Sequence, residues 1–259
     1  MTSEDKYIVT HPDAETIFKA LADEVIQTIQ TNNESDQPTV LILPIGPVGQ
    51  YPHIIEAVNT SRISLKNTWV IIMDEYLDDQ FDVITKDNPL SFRRIIDEQF
   101  YHLIDEELTV PFEQRIAPDS KDIGKVSEVI ESLGGVDLAV GGIGLNGHIA
   151  FNEPNPEISS EAYLKLSTRI VRISDATRAT NSINDLNGKI NDFPYYAVTI
   201  GLKEVFNAKK IRLGVFRDWH KGVVKEFIEN EPTAAFPVTI LKDHTDFELL
   251  AIEHLVEKA

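Results

Sequence analysis

Three short apolar runs constrain the fold of this chain more than any other feature: VLIL at 40–43, WVII at 69–72 and VDLAV at 136–140. Each stops at a proline, an acid pair or a group of glycines. Runs this short, with little polar alternation, suit strands covered on both faces, as in parallel sheets whose crossover helices lie on either side. Helical spacing separates them. After His11-Pro12-Asp13 come Ile17, Leu21, Val25, Ile26 and Ile29; later come Phe92, Ile95, Ile96 and Phe100, then Val126, Val129 and Ile130 within 123–133. A turn at Gly46-Pro47-Val48-Gly49 leads into a further helix towards Val58, and an acidic loop to about Asn88 is expected after a strand that ends at Met73. Further strands are expected at 169–173, 196–200, 211–216, 237–241 and 247–252. The alternation predicts an α/β protein: a three-layer αβα sandwich with a mostly parallel, Rossmann-like central sheet. No repeat, low-complexity tract or linker divides the 259 residues, so one domain over 1–259 is expected.

Charge narrows the partners. A net charge of -18 argues against nucleic acid or an anionic membrane surface, and it means that an anionic substrate must be met by specific basic residues. With no cysteine, disulfides and thiolate metal sites are excluded. The start, Met1-Thr2-Ser3-Glu4-Asp5-Lys6, is polar and has no apolar signal core, and no run reaches the ~18–20 residues of a membrane span. A soluble cytoplasmic protein is expected. No apolar stripe marks an interface, so self-association into a homo-oligomer stays open.

Two segments carry chemistry. GGIGLNGHIAFNEP, at 141–154, follows the apolar run 136–140. Its glycines at 141, 142, 144 and 147 permit a tight turn and close approach to a ligand, at the strand end where open α/β sheets bind. His148 and Glu153 lie beyond that turn, so an imidazole and a carboxylate share one loop. The plainer alternatives are a glycine-rich β-turn with a surface histidine, a packed histidine donating to a carbonyl, and a loop hydrogen bond at Glu153 before Pro154. MDEY, at 73–76, follows the run 69–72 and places at least one carboxylate at the same rim. Asp74 as a helix cap is the competing reading there.

Together these boxes resemble the glucosamine-6-phosphate deaminase (isomerase) family, related to the 6-phosphogluconolactonases. The resemblance extends through DATRATNS at 175–182 and YAVTIG at 196–201 to Lys221, and the FNEP ending sides with the deaminases. It implies conversion of an amino sugar phosphate to fructose 6-phosphate and ammonia by general acids and bases, without metal or organic cofactor. Asp74 would take the C2 proton, His148 would move a proton at the ring oxygen, and Glu153 would orient the imidazole and favour its charged form. Asn146 would stand beside His148. Gly46, Gly49, Gln50, Gly144, Gly147 and Lys221 would bind a sugar or sugar phosphate, while Glu75 and Tyr76 would be supports.

The chain departs from the family in three places. Asn146 stands where many deaminases carry Asp. The phosphate loop, usually T-G-G-T-P, reads Ile45-Gly46-Pro47-Val48-Gly49, and Ile183 replaces the arginine of an Asn-Ser-Arg triplet. Each charge-assisted hydrogen bond lost is worth roughly 1.5–3 kcal/mol. Arg93, Arg94, Arg178 and His220 are the candidates for a new anchor, and the long segment 155–167 for reshaping the pocket mouth. An enzyme of the same mechanism acting on an unphosphorylated or differently substituted sugar, or a non-catalytic sugar-binding regulator, are the competing readings.

Overall fold

The apolar runs lie side by side, as their composition requires. The computed structural model describes residues 5–257, so Met1–Glu4 of the polar start lie outside the described residues. Among the described residues, strands follow in chain order as β1 (Ile8–His11), β2 (Thr39–Leu43), β3 (Thr68–Ile72), β4 (Asp74–Leu77), β5 (Arg115–Ile116), β6 (Val136–Gly142), β7 (Arg169–Arg172), β8 (Tyr196–Thr199), β9 (Ala208–Val215) and β10 (Phe247–Ile252). The helices are α1 (Ala14–Glu34), α2 (Gln50–Ser61), α3 (Phe92–Gln99), α4 (Lys125–Ser132), α5 (Ser160–Tyr163), α6 (Asp175–Leu186), α7 (Leu202–Phe206), α8 (His220–Glu229) and α9 (Glu253–Val256).

Seven strands form a wholly parallel sheet in the order β1-β10-β9-β6-β2-β3-β5, flanked by helices. The fold class expected from the sequence is the one observed. All five residues of β2 are buried, and each buried Val, Leu or Ile contributes about 1.5–3 kcal/mol by leaving water. The chain runs outward from β2 through β3 to β5, then begins β6 on the other flank of β2. That reversal opens a crevice between the C-terminal ends of β2 and β6, where doubly wound sheets bind ligands. Helix α1 follows the predicted pattern: the Asp13 carboxylate accepts from the Thr16 amide at 2.8 Å, and Ile17, Leu21, Val25 and Ile29 bury one stripe. Among the described residues no helix is long and apolar enough to cross a membrane.

Several local expectations are corrected. Asp74–Leu77 is a strand, not the start of a loop, and it pairs antiparallel with β8, which pairs antiparallel with β7. Only Met73 separates β3 from β4, and the Ile200 amide donates to the Met73 carbonyl at 2.8 Å. The predicted strands at 169–173 and 196–200 therefore belong to a separate three-stranded sheet, with its own apolar cluster around Tyr76, Phe151, Ile173 and Phe193. The expected strand at 237–241 is a 3₁₀ helix, Pro237–Asp243. Pro237 has no amide hydrogen for a ladder, and Thr239 Oγ1 donates to the Phe236 carbonyl at 2.7 Å, favouring a local turn.

Candidate active site

The loops after β2 and β6 close on each other: a Cβ on Gly142 would stand 3.1 Å from Pro47 Cγ. Beside them is a cavity of about 460 Å³, of the size that accepts small organic ligands. Asp74 and His148 both line it. Helix α6 adds Thr177, Thr180, Asn181, Asn184 and Asp185, whose spacing puts them on one helical face. Ile45, Pro47, Leu145, Phe216 and Trp219 make an apolar wall. Polar groups suited to hydroxyls and an apolar surface suited to C–H faces thus share one space.

Asp74 is placed by the pleat of β4. Successive side chains of a strand point to opposite faces, so Asp74 and Tyr76 line the cavity and Glu75 turns away. Burial pushes the Asp74 carboxyl well above the usual carboxylate range, and the charge of Glu75 pushes it further. Glu75 has a different task. Its carboxylate accepts from the amides of Tyr76, Phe92 and Arg93 and from Ser91 Oγ, so it caps the start of α3.

His148 sits at the head of a hydrogen-bonded chain. Glu153 Oε2 lies 2.7 Å from Asn146 Nδ2, and Asn146 Oδ1 lies 2.7 Å from His148 Nδ1. A carboxylate only accepts, so the Asn146 amide nitrogen faces Glu153 and its oxygen faces the ring. His148 Nδ1 then carries the hydrogen, and Nε2 is free to exchange a proton with a ligand. Thr177 Oγ1, on the first turn of α6, lies 3.3 Å from Nδ1, and Ser174, the N-cap of that helix, donates its amide to Glu153 Oε1 at 3.1 Å. Burial lowers the His148 pKa, outweighing the opposing pull of Glu153. The positive end of α6 also disfavours an imidazolium. Glu153 pulls towards the charged form, in the direction expected of it, but desolvation is the larger effect and the neutral ring is favoured. Gly144 makes room for that ring, because a Cβ there would lie 1.9 Å from His148 Cε1.

The other expected site residues divide. Gly46 and Gly144 line the cavity; Gly49, Gln50, Gly147 and Lys221 do not. Gly49 packs under the Phe18 ring, and buried Gln50 donates to the Pro47 carbonyl at 2.7 Å. Gly147, at φ +81°, packs under the Phe236 ring. Lys221 is exposed on the first turn of α8, one position past the inward-facing His220. Asn146 and Glu153 stand behind His148 rather than on the cavity wall. None of residues 155–167 lines the cavity either; Tyr163 instead donates to the Glu153 carbonyl at 2.6 Å.

Of the anchors expected in place of the lost phosphate arginine, most are occupied elsewhere. Arg178 donates to the carbonyls of Ile190, Phe193 and Pro194, and Arg93 to Pro118 and Asp119. His220 accepts at Nδ1 from the amides of Phe216 and Arg217, and its Nε2 lies 3.1 Å from the Ile143 carbonyl. Arg94 reaches the cavity, but its Nε is held by Glu98 at 2.8 Å. Sequence reasoning missed Arg217, which lines the cavity after β9; no motif marks it, and only the strand order brings it there. Among the described residues no group of three or more His, Asp or Glu side chains gathers where a metal ion could be held.

Comparison with known proteins bears out the resemblance read from the motifs. A curated protein of Thermoanaerobacter pseudethanolicus named glucosamine-6-phosphate deaminase is 29% identical over 237 residues, spanning 90% of this chain and 88% of that protein. One of the same name from Porphyromonas gingivalis is 29% identical over 245 residues, spanning 92% and 88%. Among solved structures, a monomeric glucosamine-6-phosphate deaminase superposes with a TM-score of 0.84 at 24% identity, covering 97% of this chain and 100% of that one. The 6-phosphogluconolactonase of Thermotoga maritima gives 0.66 at 13% identity, covering 95% and 97%. These structural likenesses establish the fold. No family model matches the chain.

Proposed function

We propose that this chain converts glucosamine 6-phosphate and water to fructose 6-phosphate and ammonia. One observation carries the reading: the buried carboxyl of Asp74 and the imidazole of His148 line a single cavity at the switch point of the sheet. The curated relatives of that name, matching nine-tenths of the chain, support it.

The geometry suits the chemistry step by step. Neutral His148, with Nδ1–H held by Asn146, uses Nε2 to take the proton from the C1 hydroxyl and returns it to the ring oxygen as the C1–O bond to that oxygen breaks. Ionised Asp74 then removes the C2 proton. The C2–H electrons form a C1=C2 double bond while the carbonyl oxygen at C1 takes a proton from the substrate ammonium, which becomes an amine. Return of the proton from Asp74 to C1 leaves a protonated imine at C2; water adds to C2, a proton passes from its oxygen to the nitrogen, and the C–N bond breaks as C2=O forms and ammonia leaves. A carboxyl whose proton affinity is raised by burial is a stronger base once ionised, and the substrate ammonium next to C2 favours that ionisation. Asn146 and Glu153 act through His148 as positioning residues. A cytoplasmic location belongs to the same proposal.

The test is direct. Purified protein is incubated with glucosamine 6-phosphate between about pH 6 and 9, and ammonia and fructose 6-phosphate are measured. Absence of both products would sink the reading. A second reading keeps the proton machinery and changes the sugar. It is favoured by Ile45 and Pro47, which line the cavity without a hydroxyl. A panel of phosphorylated and unphosphorylated amino sugars separates the two, since a clear preference for the 6-phosphate removes the second.

A further inference from the structure

We infer that Arg217 is the anion anchor of the cavity and grips the phosphate of the sugar phosphate by its guanidinium fork. The inference rests on the proposed function for the identity of the sugar; the anion site itself stands on the cavity.

Arginines in this acidic chain are otherwise engaged. Arg62 pairs with Asp105 and Glu107, Arg93 with Asp119, Arg94 with Glu98, Arg172 with Asp175, and Arg212 with Asp246 and Glu248. Arg115, Arg169 and Arg178 donate to backbone carbonyls. Among the described residues Arg217 makes no side-chain hydrogen bond and no ion pair within 4 Å. It is nevertheless half-buried, in a cavity wall beside the apolar Phe216 and Trp219. A guanidinium partly removed from water with no carboxylate in direct contact is costly, and a bound anion relieves that cost. The planar fork suits two phosphate oxygens at once.

Its backbone is held ready. The Arg217 amide donates to His220 Nδ1 at 2.9 Å, its carbonyl accepts from the His220 amide at 2.8 Å, and His220 reaches across to Ile143 at the end of β6. The strand order sets the reach. Arg217 follows β9 and Asp74 follows β3, with β6 and β2 between them, so their strands lie about 14 Å apart at roughly 4.8 Å per spacing. A long arginine, a short aspartate and an open six-carbon chain fill such a span together. Asp185, on α6, lines the same cavity; burial raises its pKa, and the nearby Arg217 charge pulls the other way without overcoming that rise. It therefore stands as a competitor that a phosphate must outbid.

Arg217→Ala should raise the KM for glucosamine 6-phosphate roughly 10–100-fold, the loss expected for charge-assisted hydrogen bonds, with kcat changed far less. Arg217→Lys should recover part of that loss, since it keeps the charge without the fork. Asp185→Asn should move the other way and lower KM, a response that a merely structural role for Arg217 does not produce. A KM within twofold of wild type in Arg217→Ala would overturn the inference. If the wild-type protein fails to turn over this sugar, the proposed function fails separately, and inorganic phosphate becomes the probe by calorimetry. Phosphate binding that disappears in Arg217→Ala then upholds the anchor, whereas absent or Arg217-independent binding overturns it.

Discussion

The loops after β6 and β2 face each other across one crevice but are built from opposite chemistry. The first holds His148 through Asn146 and Glu153, with Gly144 left bare so that the ring can lie over it. The second presents Ile45, Gly46 and Pro47, and buries Gln50 against its own backbone. Proton transfer needs donor and acceptor within hydrogen-bond reach, so few residues at that end are replaceable. Charge attraction falls off slowly with distance, so an anion can be held from another part of the rim. Constraint on geometry, rather than importance to the reaction, separates the two loops.

The sharpest way to break this contrast is Asp74→Asn. It should lower kcat by roughly 10²–10⁴-fold, the range for a positioned acid–base group, while sugar affinity stays near wild type. Equal loss of turnover and binding would mean that the proton-transfer end is a binding end too. A paired substitution in the glycines comes next. Gly144→Ala forces the His148 ring out of place and should cost about 1–3 kcal/mol with a marked fall in kcat, as overpacking does. Gly46→Ala meets nothing within 4 Å and should leave the melting temperature close to wild type. Similar melting shifts in both would contradict the packing difference between the loops.

Acid should tell the two ends apart more gently. Burial lowers the His220 pKa to about 4 from 6.5, so the unfolded chain binds its proton first as pH falls. Stability is therefore lost from about pH 6.5 downward, and the loss is complete below about 4. From pH 7 to 5 this group alone should cost about 2 kcal/mol. Denaturant titrations should show a shallower decline in His220→Gln, and an unchanged decline would remove His220 as a source of acid sensitivity. The smallest effect is expected from Asn146→Asp. A carboxylate facing Nδ1 favours the imidazolium, so the acid limb of kcat/KM should move to higher pH. A limb that stays put would show that Asn146 does not set the His148 proton affinity.

Much of this was legible in the chain. The mainly apolar runs of β2, β3 and β6 announced parallel strands, because two-sided burial favours them. Asp74, His148, Asn146 and Glu153 were visible because their motifs are contiguous. Strand β4 was hidden because DEYL is half charged, and its partner β8 lies more than a hundred residues away. Arg217 was hidden for a related reason: its place depends on β9 lying beside β6, a neighbour relation that local spacing does not encode. Lys221 misled because one step along a helix turns a side chain by about 100°, enough to carry it from wall to surface.

The lone residue between β3 and β4 makes the enzyme sensitive to a kind of change that substitutions do not probe. Adjacent acids on a pleated ribbon are sorted by parity alone: odd and even positions look opposite ways. Adding or deleting one residue at Met73 would reverse the facing of Asp74 and Glu75, turning the longer acid towards the cavity and stripping α3 of its cap. A frame error of one position would do what no conservative replacement can, so this joint should tolerate altered identity far better than altered length.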